Sequence, residues 1–304
     1  MSARVPYFLS AACVALSLTL HAEDAKNYSY RSSANAQTAE EMEDIGEISA
    51  APDGGTEGDG KSALPPSEPI KKKFRFNVQA RSEFTTNAIL SGDHSTGDFL
   101  FLPTIEAGYK TPLGKYFTFD LAAKIESAMF AEHGDRGFLG YSANVTLDFR
   151  PRPNLPRVYI SAEPYRYDSF DTGDKVTQAI GFTAGTDGGF AFNNGRSLLY
   201  AGYAFSHYVA DPSIDDRHSH RATVGVAHQF QQKLVGQLYY AFQYNDYTAL
   251  PRRDSRHMVG ANLVYQFSER LFGNVTSALV DNESNTSRAT YQSFTASVGL
   301  TLQF

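Results

Sequence analysis

The chain has 304 residues, a formal net charge of −6, 42% hydrophobic residues and a mean hydropathy of −0.35. Beyond its extreme N-terminus it lacks the ~20 consecutive apolar residues that a membrane-spanning helix needs, and it shows no basic stripe of the kind that binds nucleic acid. A helical membrane protein is excluded and no nucleic-acid partner is expected, whereas alternating strands remain compatible with a polar average because their two faces cancel in any window.

In chain order, Arg4, the apolar run 5–20 and the small Ala22 before Glu23 read as a signal peptide over residues 1–22. It contains the single cysteine, Cys13, so the mature chain is thiol-free, as suits an oxidising periplasm. Ser10 stands where a lipoprotein box carries Leu, and the apolar run continues past Cys13, which argues against lipidation. Residues 23–73 are acidic, rich in Gly, Ser, Ala and Pro, and nearly free of large apolar side chains; they predict a disordered periplasmic linker. Within it, residues 55–62 match the phosphate-loop pattern. No apolar strand precedes them and Pro65-Pro66 forbids the following helix, so the match reads as chance in a Gly-rich segment.

Residues 74–304 fall into twelve alternating segments: 74–90, 99–110, 116–130, 138–149, 157–167, 176–187, 197–208, 221–230, 234–247, 256–267, 271–280 and 291–304. In the first, Phe74, Phe76, Val78, Ala80 and Phe84 share one face, and Arg75, Asn77, Gln79, Arg81 and Glu83 the other. Most exceed the ~9–11 residues that a tilted strand needs to cross a bilayer. Their connections alternate between tight turns (111–115, 150–156, 188–196, 231–233, 268–270) and longer polar loops (91–98, 131–137, 168–175, 209–220, 248–255, 281–290). The pattern predicts an all-β, antiparallel up-and-down transmembrane barrel of about 12 strands, with both termini on the short-turn side. With 18 Tyr, 22 Phe and no Trp, tyrosine is the residue available for the membrane interfaces.

The last segment alternates most strictly and ends on Phe304. Ser297, Gly299, Leu302 and Phe304 resemble, in register, the C-terminal insertion signal of Gram-negative outer-membrane barrels. That resemblance implies recognition by the barrel-assembly machinery and residence in the outer membrane among lipid and lipopolysaccharide. Asp254-Ser255-Arg256, Leu263-Val264-Tyr265-Gln266-Phe267 and Asp281-Asn282-Glu283-Ser284-Asn285 resemble the C-terminal part of uncharacterised outer-membrane porin-like families, some members of which accompany exopolysaccharide export.

Candidate pore-lining residues are Arg75, Arg81, Glu83, Glu106, Lys110, Asp120, Lys124, Glu126, Asp148 and Glu163, all on the first five segments; the later segments contribute mainly neutral groups. Simple hairpins would set Glu106 opposite Asp120, with Glu83 and Asp148 at the same height. Such an acidic row either forms a constriction or belongs to a set of charges that fill the lumen. Ser206 and His207 cannot act as nucleophile and base, because adjacent strand residues face opposite ways. Asp211, Asp215, Asp216, His218 and His220 share one predicted loop, without diagnostic metal-ligand spacing. The expectation is a monomeric, non-enzymatic barrel without cofactor or metal, forming a narrow pore for small hydrophilic solutes of unknown identity. A closed scaffolding barrel, an outer-membrane lipid hydrolase and an autotransporter translocator are the alternatives.

Overall fold

The computed structural model describes residues 73–88, 90, 96–152 and 155–304; the signal peptide, Cys13, the phosphate-loop match and almost all of the linker lie outside them. Twelve strands run β1 Lys73–Thr85, β2 Asp98–Leu113, β3 Phe117–Phe130, β4 Phe138–Phe149, β5 Arg157–Ser169, β6 Lys175–Phe192, β7 Ser197–Asp211, β8 Arg217–Gln231, β9 Leu234–Tyr247, β10 Arg253–Gln266, β11 Leu271–Ser284 and β12 Tyr291–Gln303. Each pairs antiparallel with its chain neighbours, and β1 pairs with β12, which closes the barrel. Closure gives every strand a partner on both sides, the condition for placing β-structure in a medium without water.

The alternation decides which face goes where. Ile105, Leu121, Val145, Ile160, Val224, Leu238, Val259 and Val298 point outward and are exposed, whereas the residues between them turn into the barrel. Aromatic pairs band the outside at both ends. At the end carrying β1's start and β12's finish, called the inner end, are Phe74 with Tyr109 (4.7 Å) and Phe117 with Phe149 (4.9 Å). At the outer end are Phe84 with Phe99 (5.0 Å), Phe205 with His220 (5.0 Å) and Phe242 with His257 (5.1 Å). Rings with a polar edge suit a water–lipid boundary; the Tyr203 hydroxyl meets His220 Nδ1 at 2.7 Å and the Tyr240 hydroxyl meets His257 Nδ1 at 2.7 Å.

Several strands are longer than their alternating segments. β8 begins at Arg217 and β10 at Arg253, and β11 continues to Ser284. Outside the bilayer the ladder continues, but outward residues such as His218, His220 and Glu283 are no longer apolar, so hydropathy loses the pattern before the hydrogen bonds do. The outer connections 212–216 and 248–252 shrink accordingly, and the predicted contrast in loop length is weaker than the sequence implies. β1 is the opposite case: it stops at Thr85, and Ala88 and Leu90, counted in the first segment, fold inward and are buried.

The β1–β12 ladder runs from Asn77↔Gln303 to Thr85↔Thr295, shorter than the β1–β2 ladder from Lys73↔Lys110 to Thr85↔Asp98. Phe304 extends it: its N–H donates to the Phe76 carbonyl (2.9 Å), and the two rings lie 5.8 Å apart. Phe304→Asp should cost about 1 kcal/mol in equilibrium unfolding, the scale of a charge at the lipid-facing edge of a barrel. Because this contact clamps the closing seam, the yield of heat-resistant folded barrel in membranes should fall severalfold; a wild-type yield on semi-native gels would contradict this.

Candidate functional site: the barrel interior

The inner face of β1–β6 carries most of the charge, and its pairing differs from the hairpin estimate. β2 continues through Pro112 to Leu113 and turns over residues 114–116, with Gly114 at φ +80°. This moves the β2–β3 register so that Glu106 faces Lys124 and Lys110 faces Asp120. Glu83 lies near the outer end, between Leu100 and Ser297, and Asp148 near the inner end, between Thr118 and Tyr159. The acidic row of Glu83, Glu106, Asp120 and Asp148 therefore does not exist. The tight turn sets each strand-two charge against an opposite one, avoiding the cost of facing carboxylates.

The charges form a ladder of ion pairs along this wall. Arg75 Nε donates to Glu106 at 3.1 Å, and its Nη1 donates to both Asp120 oxygens at 2.9 and 2.8 Å. Lys124 pairs with Glu126 at 3.2 Å, the Tyr167 hydroxyl donates to Glu126 at 3.1 Å, and Glu163 on β5 lies within electrostatic range of Lys124. Arg157, which sequence reasoning did not single out, pairs with Asp187 at 2.8 Å and Asp148 at 3.5 Å. Arg81 meets Glu83 at 3.7 Å near the outer end.

A second charged group, on β8–β10 toward the outer end, was not foreseen. Arg217, Arg221 and Arg256 face inward, and Gln243 pairs across to both Arg221 and Arg256. Arg217 lies over the Tyr208 ring at 4.1 Å and Arg252 over Tyr247 at 4.8 Å. Arg252 also grips Asp254, at 2.9 and 2.6 Å. Arg256 donates to Asn282 at 3.2 Å and to the Tyr291 hydroxyl at 2.6 Å. The available signal was phase: Arg217, Ser219 and Arg221 continue the inward parity of Thr223 and Gly225.

Facing this group, β2–β6 carry an apolar inner cluster that includes Leu100, Leu102, Phe130, Phe138, Tyr165 and Tyr167, with Tyr208 of β7 packed against it. Loop residues Ala88, Leu90, Asp215, Arg252 and Ala289 are buried at the outer mouth. The interior is consequently uneven in depth. Arg157 and Asp187 at the inner end keep 28% and 33% of their side-chain surface accessible, whereas Arg217 and Arg256 are buried.

Glycines shape the wall. Tyr159 lies over Gly185, Tyr167 over Gly140, Tyr200 over Gly225, Tyr208 over Gly181 and Tyr239 over Gly260, each ring covering its direct cross-strand neighbour. Arg75 covers Gly108 in the same way. A β-carbon at these glycines would collide with the side chain above it, so the missing atom lets large groups lie along the wall instead of projecting across the bore.

The remaining candidates disperse. Ser206 faces inward and bonds Thr183 Oγ1 at 2.8 Å, while His207 faces outward against His218. Ser197 meets His228 Nδ1 at 2.9 Å, but among the described residues no acidic or amide side chain completes a triad with them. Of the predicted loop cluster, Asp211 pairs with Lys175, Asp215 is buried, and Asp216 accepts from the Ala210 N–H at 2.6 Å. At the outer end, His133 bonds Asp98 at 2.8 Å. Ser297 and Gly299 face inward, Gly299 beneath Asn274, and Leu302 and Phe304 face outward.

A closed barrel with an apolar outer belt and a charged inner face defines an outer-membrane β-barrel of porin-like architecture. Residues 210–304, which contain β8–β12, match the family described as Putative beta-barrel porin 2. Among solved structures, the chain is similar in fold to an outer-membrane channel from Pseudomonas putida F1, at 11% identity and a TM-score of 0.52, over 82% of this chain and 100% of that one. An anion-selective porin from Comamonas acidovorans aligns at 10% identity and TM-score 0.40, over 77% and 99% of the two chains. The translocator domain of autotransporter NalP from Neisseria meningitidis aligns at 11% identity and TM-score 0.45, over 90% and 98%. No curated protein matches the chain in sequence.

Asp120→Asn should destabilise the barrel by about 2 kcal/mol, less than the ~3–5 kcal/mol of a fully buried broken pair because Arg75 keeps Glu106 and some solvent. Urea unfolding in detergent micelles measures it, and an unchanged midpoint would show that the Arg75 cluster is not held together in solution.

Proposed function

We propose that the chain is a narrow outer-membrane channel for small hydrophilic solutes. The observation that supports this best is the inner wall of β1–β6, whose ion pairs lie along the barrel and remain partly accessible at the inner end. A wall of paired charges lets water and polar solutes pass without leaving buried charges uncompensated. Twelve strands give a bore between that of eight-stranded barrels packed with side chains and that of wide sixteen-stranded porins. The constriction falls in the outer half, between the Leu100–Phe130–Tyr165 side and the Arg217–Arg256 side. The barrel acts as a monomer, exported by residues 1–22 and preceded by an acidic periplasmic arm. The assembly machinery inserts it through Ser297, Gly299, Leu302 and Phe304, into a membrane of lipid and lipopolysaccharide.

A non-conducting scaffold is the second reading. The near-complete burial of Arg217, Arg252, Asp254 and Arg256 favours it, since side chains packed that closely resemble a filled interior.

Planar-bilayer recording separates the two. The channel reading expects discrete current steps from the purified full chain; their absence across preparations that are folded by heat modifiability establishes the scaffold. In a conducting protein, Glu106→Gln with Asp120→Asn removes two negative charges beside Arg75. At ~10 Å in water each charge is worth about 0.4 kcal/mol, favouring anions and disfavouring cations by about twofold each when removed, so each neutralisation should shift the anion-to-cation permeability ratio toward anions by roughly a factor of four. An unchanged reversal potential under a salt gradient would place the cluster off the conduction path.

A further inference from the structure

We propose that His207 and His218, side by side on the outward surface at the outer end of β7 and β8, form a binding site for a divalent transition-metal ion such as Zn²⁺, Cu²⁺ or Ni²⁺. The site lies on the outside of the wall, so it does not depend on whether the interior conducts. The β7–β8 register makes the two residues direct cross-strand partners, and their ring centroids lie 4.9 Å apart at an interplanar angle of 38°. Chain spacing gives no sign of the pair, because the two residues meet only through that register.

Imidazole on this surface has another use, as a polar-edged ring of the aromatic band, and the other histidines show what that looks like. Among the described residues, a ring nitrogen of His220 bonds Tyr203, one of His257 bonds Tyr240, one of His133 bonds Asp98 and one of His228 bonds Ser197. His207 and His218 are the exceptions. Both are partly exposed, neither ring makes a hydrogen bond, and Nδ1 of His207 is enclosed without a partner, so Nε2 is the nitrogen it offers to an incoming ion. Each ring therefore has a lone pair that the protein leaves unused.

The separation suits a shared ion. With a metal–nitrogen bond of ~2.0–2.1 Å and about 1.1 Å from ring nitrogen to ring centre, each centroid stands ~3.2 Å from the ion, and a nitrogen–metal–nitrogen angle of about 90–110° then places the centroids ~4.5–5.2 Å apart. The observed 4.9 Å falls inside that window. Imidazole ligands favour zinc, copper and nickel over calcium and magnesium, which take oxygen. Phe182 on β6 and Asp246 on β9 flank the pair in the same cross-strand row, and Asp246 is itself paired with Arg253 at 3.2 Å. No group of three His, Cys, Asp or Glu side chains among the described residues is arranged to hold an ion. The site therefore has two protein ligands with water in its remaining positions, which makes binding weak and exchangeable.

The test uses the tag-free full chain in detergent micelles, with Cu²⁺ as probe because it heads the affinity order of the divalent first-row ions. Electron paramagnetic resonance of the wild type with one equivalent of Cu²⁺ should show coupling to two imidazole nitrogens, a result that needs no variant to fold. By isothermal titration, His207→Ala and His218→Ala should each weaken Cu²⁺ binding at least tenfold, no less than the ~10–100-fold that losing a supporting partner of a metal ligand costs. His220→Ala and His257→Ala, whose ring nitrogens are engaged by tyrosines, should leave the affinity unchanged, with heat modifiability confirming that each variant is folded. Excess Zn²⁺ should displace the copper and excess Ca²⁺ should not. Coupling to a single nitrogen in the wild type, unchanged affinity in either pair variant, an equal loss in His220→Ala, or displacement by Ca²⁺ overturns the site.

Discussion

Every backbone N–H and C=O that enters lipid must find a partner within the protein, and twelve strands meet that requirement only because β12 returns to β1. The rest of the molecule follows from this closure. It removes both sheet edges, brings the start of β1 and the end of β12 together at one end, and turns one face of every strand toward a shared interior. Phe304 shows the constraint at its tightest, since its backbone and ring bond the last residue of the chain to Phe76 across the seam.

Inside the closed wall, bulk has to go somewhere. Glycines directly opposite Tyr159, Tyr167, Tyr200, Tyr208 and Tyr239 give it room along the surface. The charged side uses the same solution, with Arg75 resting on Gly108 while it reaches Glu106 and Asp120. Side chains that lie down this way both stiffen the wall and set how much bore is left. The two halves of the interior then differ in chemistry: paired charges on β1–β6, and rings, amides and a few arginines on β7–β12.

Depth divides the interior as well. Toward the inner end, charged groups keep contact with solvent, whereas toward the outer end an apolar cluster meets arginines stacked on tyrosines and inward-folded loop residues close over both. Arginine suits that position because its planar group can stack on Tyr208 or Tyr247 while its edge bonds Asp254, Asn282 or Tyr291.

The sequence by itself determined the strand count, the inward or outward direction of residues such as Arg75 and Phe76, and the antiparallel order, because a period of two is a local property that survives without knowledge of neighbours. It could also show that Ser206 and His207 part company across the sheet. Pairing was beyond it: a turn read as 111–115 instead of 114–116 was enough to exchange Asp120 for Lys124 opposite Glu106. Of the arginines on β8–β10, Arg217 was hidden for a related reason, since outward His218 and His220 ended the hydropathy signal while the hydrogen-bonded ladder ran on, whereas Arg221 and Arg256 open their alternating segments and were passed over among mainly neutral neighbours. The opposition of tyrosines to glycines, the apolar cluster across from Arg217 and the burial of the outer mouth join residues distant in the chain. Only the tertiary structure decided these, because register and the curvature of the closed wall, not local alternation, set which side chains meet across a strand pair or across the bore.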